Sequence, residues 1–398
     1  MQKVKSLCIK NTLILCISAI SYISLHLRGI FSIICDESKT DSEGDGCIME
    51  FYGTLGAACD DKDILKKMFE YGMTGMRLNL AHQSLVEASL SIGHVFKAAD
   101  AVGVKPELLI DLQGPERRIG DLKRPIELKD GHKIKLGIDG DIPASPLVLK
   151  AIREGDELLI DDGKIKLDVL KTSEGSIKGA EKNEKQVTSA TCRIIRGGRL
   201  SSRKNISIAD EETDASTLTD ADKKQLRLLD QYGVTGVMLP FVRGAGDIQL
   251  LKEELRKNNS DDVRIFAKIE NRAGYEHIGE IAEISDMVVV ARGDLGNAFP
   301  LWELPKVQKE IAQVCRHANK PFLVATQFLH SMEQNPVPTR AEVSDIYNAV
   351  QDGASALMLT GETAIGAYPV RAMRYLTKTA QTALMTSDPH IKELLDMA

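Results

Sequence analysis

From Met49 onwards, short runs that are apolar at nearly every position alternate with longer stretches whose hydrophobic residues recur at helical spacing. Continuous apolar runs of this kind suit strands of a parallel sheet covered on both faces. They predict strands over Phe51–Leu55, Gly75–Asn79, Glu107–Asp111, Gly236–Pro240, Arg264–Ile269, Met287–Ala291, Pro321–Thr326 and Ala356–Thr360. An internal echo marks the repeat: YGMTGMRLNL (Tyr71–Leu80) and YGVTGVMLPF (Tyr232–Phe241) share a helix-ending glycine and a second glycine before an apolar strand. Eight parallel strands with helices between them suit a closed sheet better than an open one. The expected fold class is therefore α/β, a (β/α)8 TIM barrel.

One connection is too long for a βα loop. Over residues 121–204 the pattern changes to strand-like alternation with Asp-Gly turn signals, as in IELKDGHKIKL and ELLIDDGKIKLDVL, which favour hairpins. This predicts a small β-barrel-like domain inserted after the third strand. It divides the barrel into 49–120 and 205–398 and sits where it can close over a ligand as a lid. The charged stretch Glu174–Lys185 within it reads as a solvated loop.

The charged residues fall at strand C-terminal ends, where such barrels carry their chemistry. Lys268, Glu270 and Asn271 end one run, and Arg292, Gly293 and Asp294 follow another. Two carboxylates, a lysine and a glycine turn at neighbouring strand ends could hold one hard cation and one phosphorylated or carboxylated ligand. Each has a plainer reading: a strand-end carboxylate is often a helix cap or surface ion pair, Arg77 could pair with a neighbouring acid, and Thr326 could cap the next helix. His82 and His330 read as structural or surface groups, and Asp161 and Asp162 as hairpin-turn residues.

The length of 398 residues accommodates a barrel of roughly 250 residues plus an inserted module. With 43% hydrophobic and 27% charged residues the composition is that of an ordinary soluble protein, and a net charge of −6 gives no support for a nucleic-acid surface. Seven cysteines without a CxxC pair argue for a reducing, cytoplasmic setting and against structural zinc. Residues 1–48 differ from the rest. Their apolar run Thr12–Leu25 follows Lys3, Lys5 and Lys10 as in a signal peptide, but lacks a convincing cleavage site and is broken by His26 and Arg28, so no membrane span is expected. Glu43-Gly44-Asp45 can be encoded by GAA-GGA-GAT, a ribosome-binding sequence at a suitable distance from Met49. The preferred reading is an over-extended start, with a leader or a structured extension as alternatives.

The strand ends MRLNLAH, IDLQGPERR, FAKIEN, VVARGDLG, LVATQFLHSM, PVPTRAEVSD and LMLTGETAIGAYP occur in the order and spacing of pyruvate kinases, and over Met49 to about Leu384 the chain resembles that family, lid included. The resemblance implies phosphoryl transfer from phosphoenolpyruvate to ADP, giving pyruvate and ATP in glycolysis. It implies Glu270 and Asp294 as ligands of Mg2+ (or Mn2+), and Lys268 as the group that stabilises charge on the phosphoryl group and the enolate. Arg77 is implied as a phosphoryl contact shared with the nucleotide, and Arg118 and Lys204 as nucleotide-phosphate contacts at the lid hinges. The backbone amides of Gly293 and Asp294, with Thr326, would receive the substrate carboxylate. Thr360 and Glu362 would lie where the enolate is protonated, Asn79 and Asp111 in the K+ region, and the Asp161–Asp162 turn near nucleotide and metal.

Departures from the family pattern are equally specific. Ala81 stands where the family has a serine hydroxyl beside potassium, Leu112 and Gln113 replace threonine and lysine, Ala57 replaces a proline, and His330 replaces a glutamate. The chain stops at Ala398, after the eighth helix, without a counterpart of the family's C-terminal domain. This argues against fructose-bisphosphate regulation and leaves a homo-oligomer open. Two other readings stay open: a nucleotide-independent aldolase or decarboxylase passing through a pyruvate enolate, and a catalytically silent binder of phosphoenolpyruvate or nucleotide.

Overall fold

The computed structural model describes residues 49–115, 117–138, 140–161, 163–175, 186–208 and 216–386; the expectations for residues 1–48, Asp162 and 176–185 fall outside them. The strands, in chain order, are β1 (Glu50–Thr54), β2 (Gly75–Asn79), β3 (Glu107–Asp111), β4 (Ile126–Leu128), β5 (Lys133–Gly137), β6 (Glu157–Ile160), β7 (Ile165–Gly175), β8 (Gln186–Arg196), β9 (Gly198–Leu200), β10 (Ile206–Ile208), β11 (Gly236–Leu239), β12 (Arg264–Ile269), β13 (Met287–Ala291), β14 (Phe322–Ala325) and β15 (Ala356–Met358). Eight of them close a parallel barrel in the order β1-β15-β14-β13-β12-β11-β3-β2. These are the eight runs read from the sequence, with ends shifted by at most two residues.

The barrel interior is layered because strand side chains alternate in direction. Arg264, Phe266, Lys268 and Glu270 are two residues apart along β12 and its end, and Glu50, Tyr52 and Thr54, like Glu107, Leu109 and Asp111, keep the same period. At the N-terminal ends Arg264 Nη1 lies 2.7 Å from Glu107 and 3.1 Å from Glu50. The Tyr52 hydroxyl approaches the same two carboxylates at 2.8 and 2.5 Å. The middle is apolar, with Tyr52, Leu109, Met238, Phe266, Val289 and Leu323 in one buried cluster. The charged residues at the opposite end form the candidate site.

The repeated glycines have two distinct jobs. Gly72 and Gly233 adopt φ of 98° and 65°, the left-handed conformation that ends a helix. Gly75 and Gly236 instead make room in the barrel. A Cβ on Gly75 would lie 2.7 Å from both the Glu107 carbonyl oxygen and the Tyr52 ring, and one on Gly236 would lie 2.5 Å from Leu109 and 2.7 Å from Phe266.

Between β3 and β11 lie a five-stranded sheet, β10-β6-β7-β8-β5, and a two-stranded ribbon, β4-β9. They enclose their own apolar core, including Leu136, Leu158, Leu167 and Ile194. β6 and β7 pair antiparallel with Ile160 opposite Ile165, the hairpin expected there. The pair Asp130-Gly131 does not make one. β4 pairs with β9 and β5 with β8, so two bent strands run side by side, kinked at Gly131 and at Gly197. Asp130 holds the bend by accepting the Gly197 N–H at 2.7 Å, and Gly131 takes φ 78° and donates to the Ile194 carbonyl. The charged stretch expected to be a loop begins in β7, since Glu174 pairs with Val187 and Gly175 with Gln186. The two chain crossings also pair with each other: Ile119 N–H donates to the Lys204 carbonyl and Ile206 N–H to that of Arg117.

Candidate active site

Asp111 ends β3 with only 2% of its surface exposed. Arg77, from β2, donates to its Oδ2 through Nη2 at 2.6 Å and Nε at 2.9 Å. The Lys268 ammonium lies 3.1 Å from both Asp111 oxygens and 2.8 Å from Glu270 Oε1. Two cations and two carboxylates are thus packed in one buried cluster, and each charge is held by its neighbours. Burial alone would raise the pKa of Asp111, but Lys268 and Arg77 outweigh it and hold the group below the usual carboxylate range. Burial likewise works against the charged form of Lys268, yet Asp111 and Glu270 push its pKa above the ordinary lysine value. Lys268 is therefore a fixed positive charge at neutral pH, not a base.

Glu270 is buried and its second oxygen, Oε2, accepts the Phe241 N–H at 2.8 Å. Its Oε1 faces Lys268 but accepts no well-directed hydrogen bond. A buried carboxylate oxygen with spare coordination capacity suits a hard cation. Asp294 lies in the first turn of the short helix Arg292–Ala298 that follows β13, the strand hydrogen-bonded to β12. Among the described residues no three His, Cys, Asp or Glu side chains cluster as a metal site. A metal here would draw on two protein carboxylates and complete its shell from substrate and water, the arrangement usual for Mg2+.

Gly293 N–H donates to Thr326 Oγ1 at 2.9 Å, and that hydroxyl donates to the Ala325 carbonyl at 2.5 Å. Thr326 and Gln327 adopt φ of 73° and 58°. For non-glycine residues this conformation costs about 1–3 kcal/mol each, and it is rarest for a β-branched side chain. Thr360 follows β15. Its N–H donates to Glu362 Oε2 at 2.8 Å, while Glu362 Oε1 accepts the Leu329 N–H at 3.0 Å. Glu362 is almost fully buried and ties the β14 and β15 loops together.

Asn79 and Asp111 are register partners at the ends of β2 and β3. Asn79 Oδ1 accepts the Ala81 N–H at 3.0 Å. Arg118 Nη1 donates to the Arg203 carbonyl at 2.7 Å, and Lys204 Nζ lies 2.7 Å from Asp161 Oδ1. Asp161 takes φ 55° in its turn, as a hairpin residue does, and also holds Lys204. His82 is held below its usual pKa by partial burial and by the nearby Arg118 and Arg77. His330 is exposed and lies 3.2 Å from Glu333.

Two other polar residues at these strand ends face away from the cluster. Asn271 caps the helix Arg272–Glu276, its Oδ1 accepting the Gly274 N–H at 2.7 Å. Arg292 turns away to Asp345 and to the Thr326 backbone. Thr54 was not foreseen as a site residue. It accepts from Arg77 Nη1 at 3.1 Å and donates to the Leu359 carbonyl, so it steers the arginine. A hydroxyl at the C-terminal end of a barrel strand was the available signal.

The family described as "Pyruvate kinase, barrel domain" matches residues 49–373. The chain belongs to the pyruvate kinase family. It is 37% identical over 346 residues to the pyruvate kinase of Aeropyrum pernix, covering 86% of this chain and 72% of that protein. The pyruvate kinase of Thermotoga maritima is 35% identical over 338 residues, 83% of this chain and 70% of its own. That of Geobacillus stearothermophilus is 35% identical over 335 residues, but only 55% of it is covered. Among the described residues no helix is long and apolar enough to cross a membrane.

Proposed function

We propose that this member of the pyruvate kinase family transfers the phosphoryl group of phosphoenolpyruvate to ADP and releases pyruvate. The observation that carries the reading is the Lys268 ammonium, buried and fixed between Asp111 and Glu270 at the C-terminal mouth of the barrel. Phosphoryl transfer needs little covalent help from a protein. It needs preorganised positive charge where negative charge is in flight, in a site where water cannot screen it. Lys268 supplies such a charge without reorganisation, because its partners already hold it in place.

Glu270 and Asp294 would hold Mg2+ (or Mn2+), which supplies charge neutralisation for the phosphoryl and enolate oxygens. Arg77, steered by Thr54 and Asp111, presents its guanidinium to the transferring group. A substrate carboxylate arriving at Gly293 and Asp294 displaces the Thr326 hydroxyl from the Gly293 amide, and that hydroxyl can then turn its proton from the Ala325 carbonyl to the ligand. Thr360 stands where a proton reaches the enolate, held by Glu362, whose oxygens are occupied by backbone N–H groups. Arg118 and Lys204, on the paired crossing segments, are suited to nucleotide phosphates. A K+ ion beside Asn79 and Asp111 would share the Asp111 carboxylate with two cations, and with Ala81 it finds one hydroxyl fewer.

The test is a coupled assay for pyruvate formed from phosphoenolpyruvate with Mg2+, with and without ADP. ADP-dependent turnover is the expected result. Turnover without ADP would indicate a lyase that passes through the same enolate, and ligand binding without turnover a silent binder.

A further inference from the structure

The two left-handed residues after β14 are held by a side chain to which the reaction assigns no part. Arg292, the first residue beyond β13, directs its guanidinium sideways to the neighbouring strand end. Nη2 donates to the Thr326 carbonyl at 2.6 Å, and Nε lies 3.2 Å from that oxygen and 3.3 Å from the Ala325 carbonyl. Nη1 donates to Asp345 at 2.8 Å, on the helix Arg340–Gln351, and the guanidinium plane lies 4.3 Å from the centre of the buried Phe328 ring. One planar fork thus fixes both carbonyls that flank the Thr326 φ torsion and is itself aimed by an acid and a ring.

We propose that Arg292 is a positioning residue for the substrate carboxylate, acting through Thr326. This rests on the reading of the site as one that binds phosphoenolpyruvate. Left to itself, a threonine relaxes from φ 73° toward extended or right-handed backbone, and the hydroxyl swings away from the Gly293 turn where the carboxylate arrives. Arg292 prevents this by holding the peptide that follows Thr326, so that hydroxyl and amide face one point at the ends of β13 and β14. Because residues 292 and 293 are adjacent, the same side chain also ties the Gly293 turn to the Thr326 turn. A lysine at this position keeps the charge but cannot reach two carbonyls and Asp345 in one plane.

The experiment compares wild type, Arg292→Lys, Thr326→Ala and the double variant by steady-state kinetics against each substrate, with Tm measured alongside. Arg292→Lys is expected to raise KM for phosphoenolpyruvate roughly tenfold, with kcat and KM for ADP changed far less, because a lost carboxylate contact weakens ground and transition states alike. On the Thr326→Ala background the same change is expected to add little, since the hydroxyl being positioned is gone. If Arg292→Lys does not fold, Asp345→Asn is read in the same way, with a smaller rise expected. Unchanged KM values with lower kcat and Tm would reduce Arg292 to a structural tie, as would an effect of full size on the Thr326→Ala background. Wild-type protein without ADP-dependent turnover would instead overturn the functional reading, and the positioning role with it.

Discussion

Lys268 and Asp111 meet at the mouth of the barrel although β11 separates their strands, the ammonium lying 3.1 Å from both carboxylate oxygens. Asp111 also binds Arg77 and Lys268 also touches Glu270, so one buried aspartate orients both basic groups of the site. These contacts hold the guanidinium and the ammonium in fixed positions on one buried carboxylate.

Separating Lys268 from the carboxylates tests these roles. Lys268→Met is expected to lower ADP-dependent pyruvate formation by roughly 10²-fold or more, as loss of other preorganised electrostatic groups does. Glu270→Gln and Asp294→Asn should first raise the Mg2+ concentration needed for activity, since each removes a charged oxygen from a cation that depends on such ligands. A magnesium titration checks the distinction: excess metal partly rescues the carboxylate variants and not the lysine variant. Equal rescue of all three would contradict it.

The depressed pKa of Asp111 gives a pH signature. A carboxylate depressed in the folded state adds stability above its unfolded value, about 3.9, and loses it as pH falls through the lower folded value. Lys268, raised on folding, keeps its contribution below its unfolded value, about 10.4, and loses it as pH climbs through the higher folded one. The difference in Tm between wild type and Asp111→Asn should stay level between about pH 5 and 9 and close below about 3.9. Thermal melts over that range decide it, and a gap that grows on acidification would refute the assignment.

Potassium dependence follows from Ala81. With no hydroxyl there and Asp111 occupied by two cations, activation by K+ should be weak. Ala81→Ser should strengthen it, as read from activity with K+ replaced by a large organic cation. A wild-type enzyme saturated by low potassium would exclude this.

The glycines separate packing from helix propensity. Gly236→Ala places a methyl 2.5 Å from Leu109 and should destabilise the fold by about 1–3 kcal/mol, as overpacking does. Gly93→Ala, in the helix Ser89–Asp100 with nothing within 4 Å of the new methyl, should stabilise it by up to about 1 kcal/mol. Chemical denaturation of both variants checks the opposite signs.

The eight barrel strands, the left-handed Gly72 and Gly233, and the charges at the ends of β12 and β13 are legible from the chain alone, because period, turn chemistry and strand direction are local properties. Even the layering is written in Arg264, Phe266, Lys268 and Glu270, whose spacing of two puts them on one face. Which of these groups meet is not local. Asp111 lies 34 residues from Arg77 and 157 from Lys268, and only closure and register bring the three together. Asp130-Gly131 shows the same limit: its residues specify a bend, while the partner strands decide that the bend is not a hairpin. Asn271 and Arg292 looked like members of the charged site, and tertiary structure made one a helix cap and the other a tie to Thr326. A polar side chain at a strand end has several partners within reach, and the packing of the next element selects among them.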